Sequence, residues 1–181
     1  IVKIEPDDTF YVQVNPNDAE EIIKSHIIEG KIVERLLFTD PGDGKKIKSQ
    51  HNIPFYKKQM RIALRNCGVI NPENIKEYIA ADGYKALGNV LTNYEPIEVI
   101  NEIIKSGLRG RGGGGFPTGV KWKLARESKN DVKYIKCNAD EGDQGAFMDR
   151  SILEGGHHSV LEAMAKTGYS IGTSKGYIYI R

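Results

Sequence analysis

The chain has 181 residues, 39% of them hydrophobic and 28% charged, which is ordinary for a soluble domain long enough to bury a core. Its formal net charge of +2 argues against a nucleic-acid partner, since such proteins carry a clustered basic face. The sequence contains no run of about 18 apolar residues and no signal peptide. It therefore predicts neither a membrane span nor secretion, and we expect a cytoplasmic location.

Residues 1–38 predict a small β–β–α unit. Two short runs of β-forming residues, 1–4 and 10–14, flank a predicted turn at 6–9, and a helix follows them. Asn15 is placed to cap this helix, Pro16 stands at its first position and Gly30 ends it. The unit is too small to hold a core of its own. Residues 39–53 are polar and contain glycine, and the sequence predicts a linker there.

Residues 54–181 alternate between helix and strand signals. The sequence predicts strands at 60–64, at 132–137 and from 176 onward, and helices at 71–81, 84–91, 95–105, 120–127 and 158–166. Helices that alternate with strands in this way indicate an α/β fold with a parallel or mixed sheet.

A glycine-rich run from Gly110 to Gly115 (GRGGGG) satisfies the G-x-G-x-x-G pattern. A helix rather than a strand precedes it, which disfavours a dinucleotide-binding loop, and no Gly-Lys-Ser/Thr follows it, which argues against a P-loop. Four consecutive glycines still let the backbone approach a flat ring or a phosphate and turn its N–H groups toward it. Arg109, Arg111 and Lys121 supply positive charge nearby. The alternative is a flexible linker, but a linker would carry serine instead of this Arg, Phe and Pro framing, so the pattern favours a ligand.

A second polar motif, CNADEGD at 137–143, follows the predicted strand 132–137. Open α/β sheets place ligands at the carboxyl ends of their strands, and Asn138, Asp140 and Glu141 could hydrogen-bond a ligand there. An Asx-rich turn with solvated carboxylates is the alternative, and the residues by themselves leave both open.

No metal site is predicted. Cys67 and Cys137 form no CxxC pair, so a four-thiolate cluster cannot assemble from this chain alone. His157 and His158 are adjacent, and adjacent residues on a helix do not face each other. A place near the start of a helix is the favoured interpretation for this pair.

Three segments together closely resemble the NADH-binding flavoprotein subunit of respiratory complex I and of related NAD(P)-linked, often electron-bifurcating, hydrogenases and formate dehydrogenases. These segments are SGLRGRGGGGFPTGVKW at 106–122, CNADEGD at 137–143 and GAFMDRSILEG at 145–155. The resemblance runs from about residue 54 to the end. It implies a partial Rossmann-like FMN-binding domain of the complex I flavoprotein type. Residues 1–38 resemble the end of the thioredoxin-like 2Fe–2S module that precedes this domain in the hydrogenase-type members, which favours that branch.

The resemblance also implies roles for individual residues. FMN contacts carry over onto the glycine loop, the lysine after it and the polar motif: Gly110, Arg111, Gly112, Gly113, Lys121, Asn138, Asp140 and Glu141. Phe116 matches an aromatic residue on the NADH side. The second NADH aromatic of the family falls near Leu124, which has no ring, and Gly114 stands where the family more often has alanine. No side chain is expected to act as a catalytic acid, base or nucleophile, because the cofactor carries the redox chemistry.

The implied function is an oxidoreductase subunit that accepts hydride from NADH or NADPH through FMN. It would pass single electrons to iron–sulfur clusters in partner subunits of a hydrogenase or complex I-like assembly. The 2Fe–2S and 4Fe–4S clusters of the full-length protein are expected outside this segment, which we expect to be cut at both ends and inactive in isolation. Two alternatives stay open: a structural or docking segment that binds no nucleotide, and a nucleotide-binding module unrelated to redox chemistry.

Overall fold

The computed structural model describes residues 1–181 and has a mixed α/β architecture made of two compact units, Ile1–Arg61 and Ile62–Arg181. The parallel strand pair of the second unit fits the sequence-based α/β prediction. No helix is both long and apolar enough to span a bilayer.

The first unit begins with an antiparallel pair, β1 (Val2–Ile4) and β2 (Thr9–Tyr11). A 3-10 turn (Pro16–Asp18), α1 (Ala19–Glu21) and a π-helical segment (Ile22–Ile28) follow in one continuous run. The remaining elements are a 3-10 turn (Glu34–Leu36), β3 (Phe38–Thr39), β4 (Lys46–Ile47), a 3-10 turn (Gln50–Asn52) and α2 (Pro54–Lys57). The core of the unit is formed by five buried side chains: Tyr11, Ile22, Val33, Leu36 and Leu37. All five lie within residues 1–38, so the expectation that this segment is too small to hold a core was wrong.

The segment predicted to be a linker, 39–53, is structured instead. β3 and β4 pair in an antiparallel hairpin, and the backbone N–H of Asp40 donates to the carbonyl of Lys45 at 2.9 Å. The N–H of Phe10 donates to the carbonyl of Lys48 at 2.8 Å, so this hairpin region is tied to β2. Polar composition suggested a linker because the hairpin is short and exposes most of its side chains to solvent.

A series of hydrogen bonds links β2 to the π-helical segment of the first unit, running from the buried Tyr11 and His26 to the exposed Asp7. The hydroxyl of Tyr11 lies 2.7 Å from Nδ1 of His26, and Nε2 of that histidine lies 2.9 Å from a carboxylate oxygen of Asp7. Desolvation raises the pKa of Asp7, but hydrogen bonds from His26, Thr9 and Lys48 outweigh it and lower this pKa to about 2. These hydrogen bonds give the polar groups of Tyr11 and His26 partners that burial would otherwise deny them.

The second unit contains five helices and one parallel strand pair. They are α3 (Ile75–Ala80), α4 (Lys85–Asn93), α5 (Pro96–Lys105), α6 (Thr118–Glu127), β5 (Ile135–Ala139), α7 (Met148–Ile171) and β6 (Gly176–Ile180). The capping signals act as expected at α5, where Pro96 is the first residue and the N–H of Glu95 donates to Glu98 at 2.7 Å. At α3 the cap is Asn74, whose side chain accepts from the N–H of Lys76, so this helix begins later than the predicted residue 71.

Helices α5 and α6 approach closely because residue 119 has no side chain. A Cβ on Gly119 would lie 2.5 Å from the backbone nitrogen of Ile104 and 2.9 Å from its Cα, which real Cβ atoms do not tolerate. Gly119 is also buried. This contact fixes where α6 begins relative to α5, and therefore where the ends of the intervening glycine loop lie.

Three sequence-based boundaries were wrong. Residues 60–64 form no strand, because β-forming residues need a partner strand and none lies beside them. The strand predicted at 132–137 is shifted to β5, so Asn138 lies within the strand and not after it. The helix predicted at 158–166 is the central part of the much longer α7, which bends at Gly156 (φ −174°, ψ 42°) where a glycine pair interrupts the apolar periodicity.

Strands β5 and β6 pair in parallel, with Ile135 opposite Gly176 and Ala139 opposite Ile180, and α7 forms the crossover between them. Every residue of β6 is exposed, including Tyr177 at 60% and Ile180 at 63%. Strands of parallel sheets are normally covered on both faces, so β6 presents an unusually apolar surface and an open edge.

Candidate functional site

The glycine loop lies between α5 and α6 and closes through a short backbone ladder. The N–H of Gly110 donates to the carbonyl of Phe116, and the N–H of Thr118 donates to the carbonyl of Leu108, each at 2.9 Å. Arg109 and Pro117 form an antiparallel bridge between these two hydrogen bonds. The loop is therefore a closed turn with a defined neck, and not an unstructured linker.

Backbone conformation explains some of the glycines in the loop but not all of them. Gly113 (φ +101°) and Gly115 (φ +58°) have backbone angles that residues with a side chain rarely adopt. Gly112 and Gly114 do not have such angles, and a Cβ on either would meet no heavy atom within 4 Å. Nothing in the protein's own packing therefore requires glycine at positions 112 and 114. Close approach of an external group to the bare backbone would supply the missing reason at position 112, whereas the resemblance described above allows alanine at position 114.

The three cations of this region have different surroundings. Nη1 of Arg109 donates to the carbonyl of Gly115 at 3.0 Å, so this side chain is held against its own loop. Arg111 and Lys121 form no ion pair in the structure. Both are exposed, which leaves two uncompensated positive charges on the loop and on the first turns of α6.

A cleft of about 990 Å³ in the second unit brings several of the sequence-predicted residues together. Gly110, Phe116 and Lys121 line it, together with Lys136 and Cys137 from β5. Burial, with a smaller contribution from Asp149, raises the pKa of the Cys137 thiol. The cleft combines a largely apolar lining with cationic side chains, and this is how sites for an aromatic, anionic ligand are built.

The remaining predicted residues do not line this cleft. Arg111, Gly112 and Gly113 lie beyond the neck of the glycine loop, and Asn138, Asp140 and Glu141 lie at the end of β5.

The end of β5 contains a carboxylate oxygen that is buried without a hydrogen bond. The side-chain oxygen of Asn138 accepts from the N–H of Asp140 at 3.2 Å, forming an Asx turn. Oδ1 of Asp140 is buried and accepts no hydrogen bond, but it forms an ion pair with Nε of Arg181 at 3.5 Å. Because buried oxygens normally accept a hydrogen bond, this oxygen can still accept one from a ligand.

Glu141 has a structural role that its sequence did not reveal. Its carboxylate accepts the backbone N–H groups of Met148, Asp149 (3.1 Å) and Arg150 (3.2 Å). These N–H groups lie at the start of α7, where no carbonyl of the helix can accept from them, so the carboxylate supplies the missing acceptor. Its negative charge also interacts favourably with the positive end of the helix dipole. The side chain therefore holds the loop 142–147 and the start of α7 in place.

A buried carboxylate, Glu162 of α7, was missed by sequence reasoning. It is 6% exposed and accepts from the hydroxyl of Tyr78 (2.6 Å), the N–H groups of Tyr84 (3.0 Å) and Leu87 (3.2 Å) and the ammonium of Lys166 (3.3 Å). Burial raises its pKa, but these hydrogen bonds outweigh the burial and the pKa is lowered overall. The i, i+4 spacing from Lys166 was visible in the sequence, but it indicates an ordinary exposed pair.

The histidine pair belongs to the same region. The ring of His158 stacks on Tyr78 with centroids 5.3 Å apart, and its Nδ1 lies 2.9 Å from the hydroxyl of Tyr84. Burial and the neighbouring His157 lower the pKa of His158. The structure places this residue within the middle of α7 as part of the packing between α3, α4 and α7.

Comparison with known proteins agrees with this geometry. Residues 103–181, which contain the glycine loop, the cleft-lining strand and β6, match the family described as the Nuo51 FMN-binding domain. This segment of the chain is similar to that family. The match begins inside α5 and covers both sequence motifs at which a ligand was expected.

Curated relatives of the FMN-binding-domain segment extend the match toward the N-terminus. The chain is 60% identical over 125 residues to the NADP-reducing hydrogenase subunit HndC of Solidesulfovibrio fructosivorans, covering 69% of the chain and 25% of the relative. It is 43% identical over 120 residues to an NADH-quinone oxidoreductase subunit of Rhizobium meliloti, covering 66% of the chain and 28% of the relative. The chain thus spans about a quarter of the length of these relatives.

A solved structure shows a similar fold. A chain of an NAD+-reducing [NiFe]-hydrogenase in the air-oxidized state matches with a TM-score of 0.51 at 24% identity. The match covers 94% of this chain and 26% of the other. At this identity the likeness concerns the fold alone.

Proposed function

We propose that this chain is part of a cytoplasmic FMN-binding electron-transfer subunit that oxidises NADH or NADPH. The subunit delivers electrons to iron–sulfur clusters of partner subunits in a hydrogenase or a complex I-like assembly. The family match of residues 103–181 and the names of the curated relatives support this proposal. We also propose that residues 1–38, with their β1–β2 hairpin and following helical segment, are the end of a thioredoxin-like 2Fe–2S module.

One observation carries the proposal: glycine stands at position 112 although neither backbone angle nor packing requires it. A backbone without a side chain fits a ring or a phosphate that must approach it closely. Gly110 and Phe116, at the neck of the same loop, line the cleft, so we infer that a ligand extending from the cleft past the neck would reach the Gly112 backbone. The residues present therefore fit a flavin nucleotide.

The neighbouring side chains complete this fit. Arg111 and Lys121 are unpaired cations suited to the phosphate, and the buried Oδ1 of Asp140 is suited to accept a hydrogen bond from a ribityl hydroxyl. Phe116 is 52% exposed at the cleft and offers a face for stacking a nicotinamide ring. When bound, FMN supplies the chemistry of accepting a hydride and releasing electrons singly. The chain binds and orients the rings and excludes water from between them.

The test compares two neighbouring substitutions, Gly112→Ala and Gly114→Ala. Both place one methyl group on the loop where the chain itself has room, and the resemblance predicts that alanine at 114 is harmless. Titration of each variant with FMN, followed by flavin fluorescence, should show Kd raised about tenfold or more for Gly112→Ala and changed by less than about twofold for Gly114→Ala. Urea unfolding of both should match wild type, which separates loss of binding from loss of fold.

The same titration distinguishes the other hypotheses. Tighter binding of ATP than of FMN would favour a nucleotide module unrelated to redox chemistry. If neither this chain nor the full-length subunit takes up FMN, the flavin proposal is wrong. Binding by the full-length subunit alone would show that residues beyond this segment are needed.

One observation favours the docking alternative as a second candidate. β6 is exposed along its whole length, with an apolar surface and an open edge. A segment that serves to pack against further protein would present such a strand. Failure of FMN uptake combined with stoichiometric binding to an iron–sulfur partner subunit would support this alternative over the first.

A further inference from the structure

The two arginines of the glycine loop, Arg109 and Arg111, are separated by one glycine and look equivalent in the sequence. In the structure they differ. Arg111 lies beyond the neck and has no ion-pair partner, whereas Nη1 of Arg109 donates to the carbonyl of Gly115 across the loop at 3.0 Å. One arginine is directed to its own backbone, and the other is available to an external anion.

The Arg109 contact extends the neck of the loop. The backbone ladder ends at the hydrogen bond from Gly110 to Phe116, and the guanidinium adds a further link to Gly115 on the opposite side. Gly115 is one of the residues with a positive φ, and a Cβ built on it would meet no heavy atom of the protein within 4 Å. Packing on the Cβ side of Gly115 therefore does not hold its conformation.

The energetic reason for such a link is conformational entropy. Glycine loses more freedom on ordering than any other residue, and four of them follow each other in this loop. A loop left free would have to be ordered at the moment a ligand binds, at the expense of affinity. A side chain that orders it beforehand removes that cost.

We propose that Arg109 is a positioning residue, which orders the glycine loop for flavin binding through the Gly115 carbonyl and makes no contact with the flavin phosphate. This inference rests on the proposed function for its ligand, while the ordering of the loop is a property of the chain alone. Arg111 is the matched residue that does bind the phosphate.

Two measurements on wild type, Arg109→Gln and Arg111→Gln test this. The first is 15N relaxation of the Gly113, Gly114 and Gly115 amides without ligand. We expect order parameters near those of rigid backbone in wild type and Arg111→Gln, and a fall below about 0.6 in Arg109→Gln. Unchanged order parameters in Arg109→Gln would overturn the inference, whether or not the chain binds flavin.

The second measurement compares FMN with riboflavin, which lacks the phosphate. Loss of loop order affects both ligands, so Arg109→Gln should raise both Kd values by a similar factor, about fivefold to tenfold. Arg111→Gln should weaken FMN and leave riboflavin unchanged. A selective loss of FMN in Arg109→Gln would identify it as a phosphate ligand and overturn the inference. If neither this chain nor the full-length subunit binds either ligand, the proposed function is wrong, and the relaxation data still decide the role of Arg109.

Discussion

Substitution of Glu162 by alanine tests the buried carboxylate that joins α4 to α7. The change removes the acceptor for the Tyr78 hydroxyl and for the N–H groups of Tyr84 and Leu87, and it leaves Lys166 without its partner. It therefore leaves polar groups unsatisfied in a site where the carboxylate itself is 6% exposed.

The magnitude follows from the kind of contact that is lost. A hydrogen bond to a charged group contributes about 1.5–3 kcal/mol, and removing one partner of a buried ionic cluster costs about 3–5 kcal/mol in total because the contributions are not additive. We expect Glu162→Ala to lower the free energy of unfolding by about 3–5 kcal/mol. With a urea dependence of about 1–3 kcal/mol per molar, the midpoint should fall by at least about 1 M.

The fluorescence of Trp122 lets urea unfolding be followed in the second unit, which contains Glu162. This residue is the only tryptophan and belongs to that unit, so its fluorescence reports unfolding there. The matched control is Glu154→Ala on the same helix, where the side chain is 65% exposed and pairs only with Arg150. This control should cost less than about 0.5 kcal/mol. Equal midpoints for the two variants would refute the reasoning that burial makes the Glu162 contacts strong.

Three further predictions follow from the contacts described above. Because folding lowers the pKa of Asp7, its carboxylate stabilises the fold at pH values above its unfolded pKa, and this stabilisation is lost as the pH falls from about 4 to about 2. Circular dichroism should show this loss of stability in wild type and a flatter dependence on pH in Asp7→Asn. Gly119→Ala should lower the free energy of unfolding by about 1–3 kcal/mol, because the new Cβ overlaps the backbone of Ile104, and an unchanged urea midpoint would contradict the close approach of α5 and α6. Wild type should self-associate with rising concentration through β6, and Ile180→Lys should reduce this in sedimentation velocity; a wild-type chain that stays monomeric would argue against an adhesive edge.

Local signals in the sequence predicted much of the fold. The helix predicted at 95–105 is α5, which has Pro96 at its first position, and Gly107, with φ +68°, follows its end. Alternating helix and strand signals predicted a parallel or mixed sheet, and β5 and β6 pair in parallel. These features depend on contacts within a few residues, and such contacts are readable from a short window of sequence.

The candidate site was only partly readable in the same way. The glycine run and the following lysine were recognised as ligand-binding features, and the structure places Gly110, Phe116 and Lys121 around one cleft. The separate tasks of Arg109 and Arg111 were not visible, because a side chain's hydrogen-bond partner depends on how the loop closes. The capping role of Glu141 was hidden for the same reason, since the start of α7 was predicted ten residues too late.

The amino-acid sequence by itself determined the α/β class, the start of α5 at Pro96, and the chemistry available at the glycine loop. Those properties reside in single residues or in their near neighbours. The tertiary structure alone decided that Glu162 is buried and ionised, that 39–47 forms a hairpin, and that Gly119 must have no side chain. Each of these features depends on a contact with a segment that is not adjacent in the sequence. Glu162 contacts the start of α4, β3 pairs with β4, and Gly119 packs against Ile104.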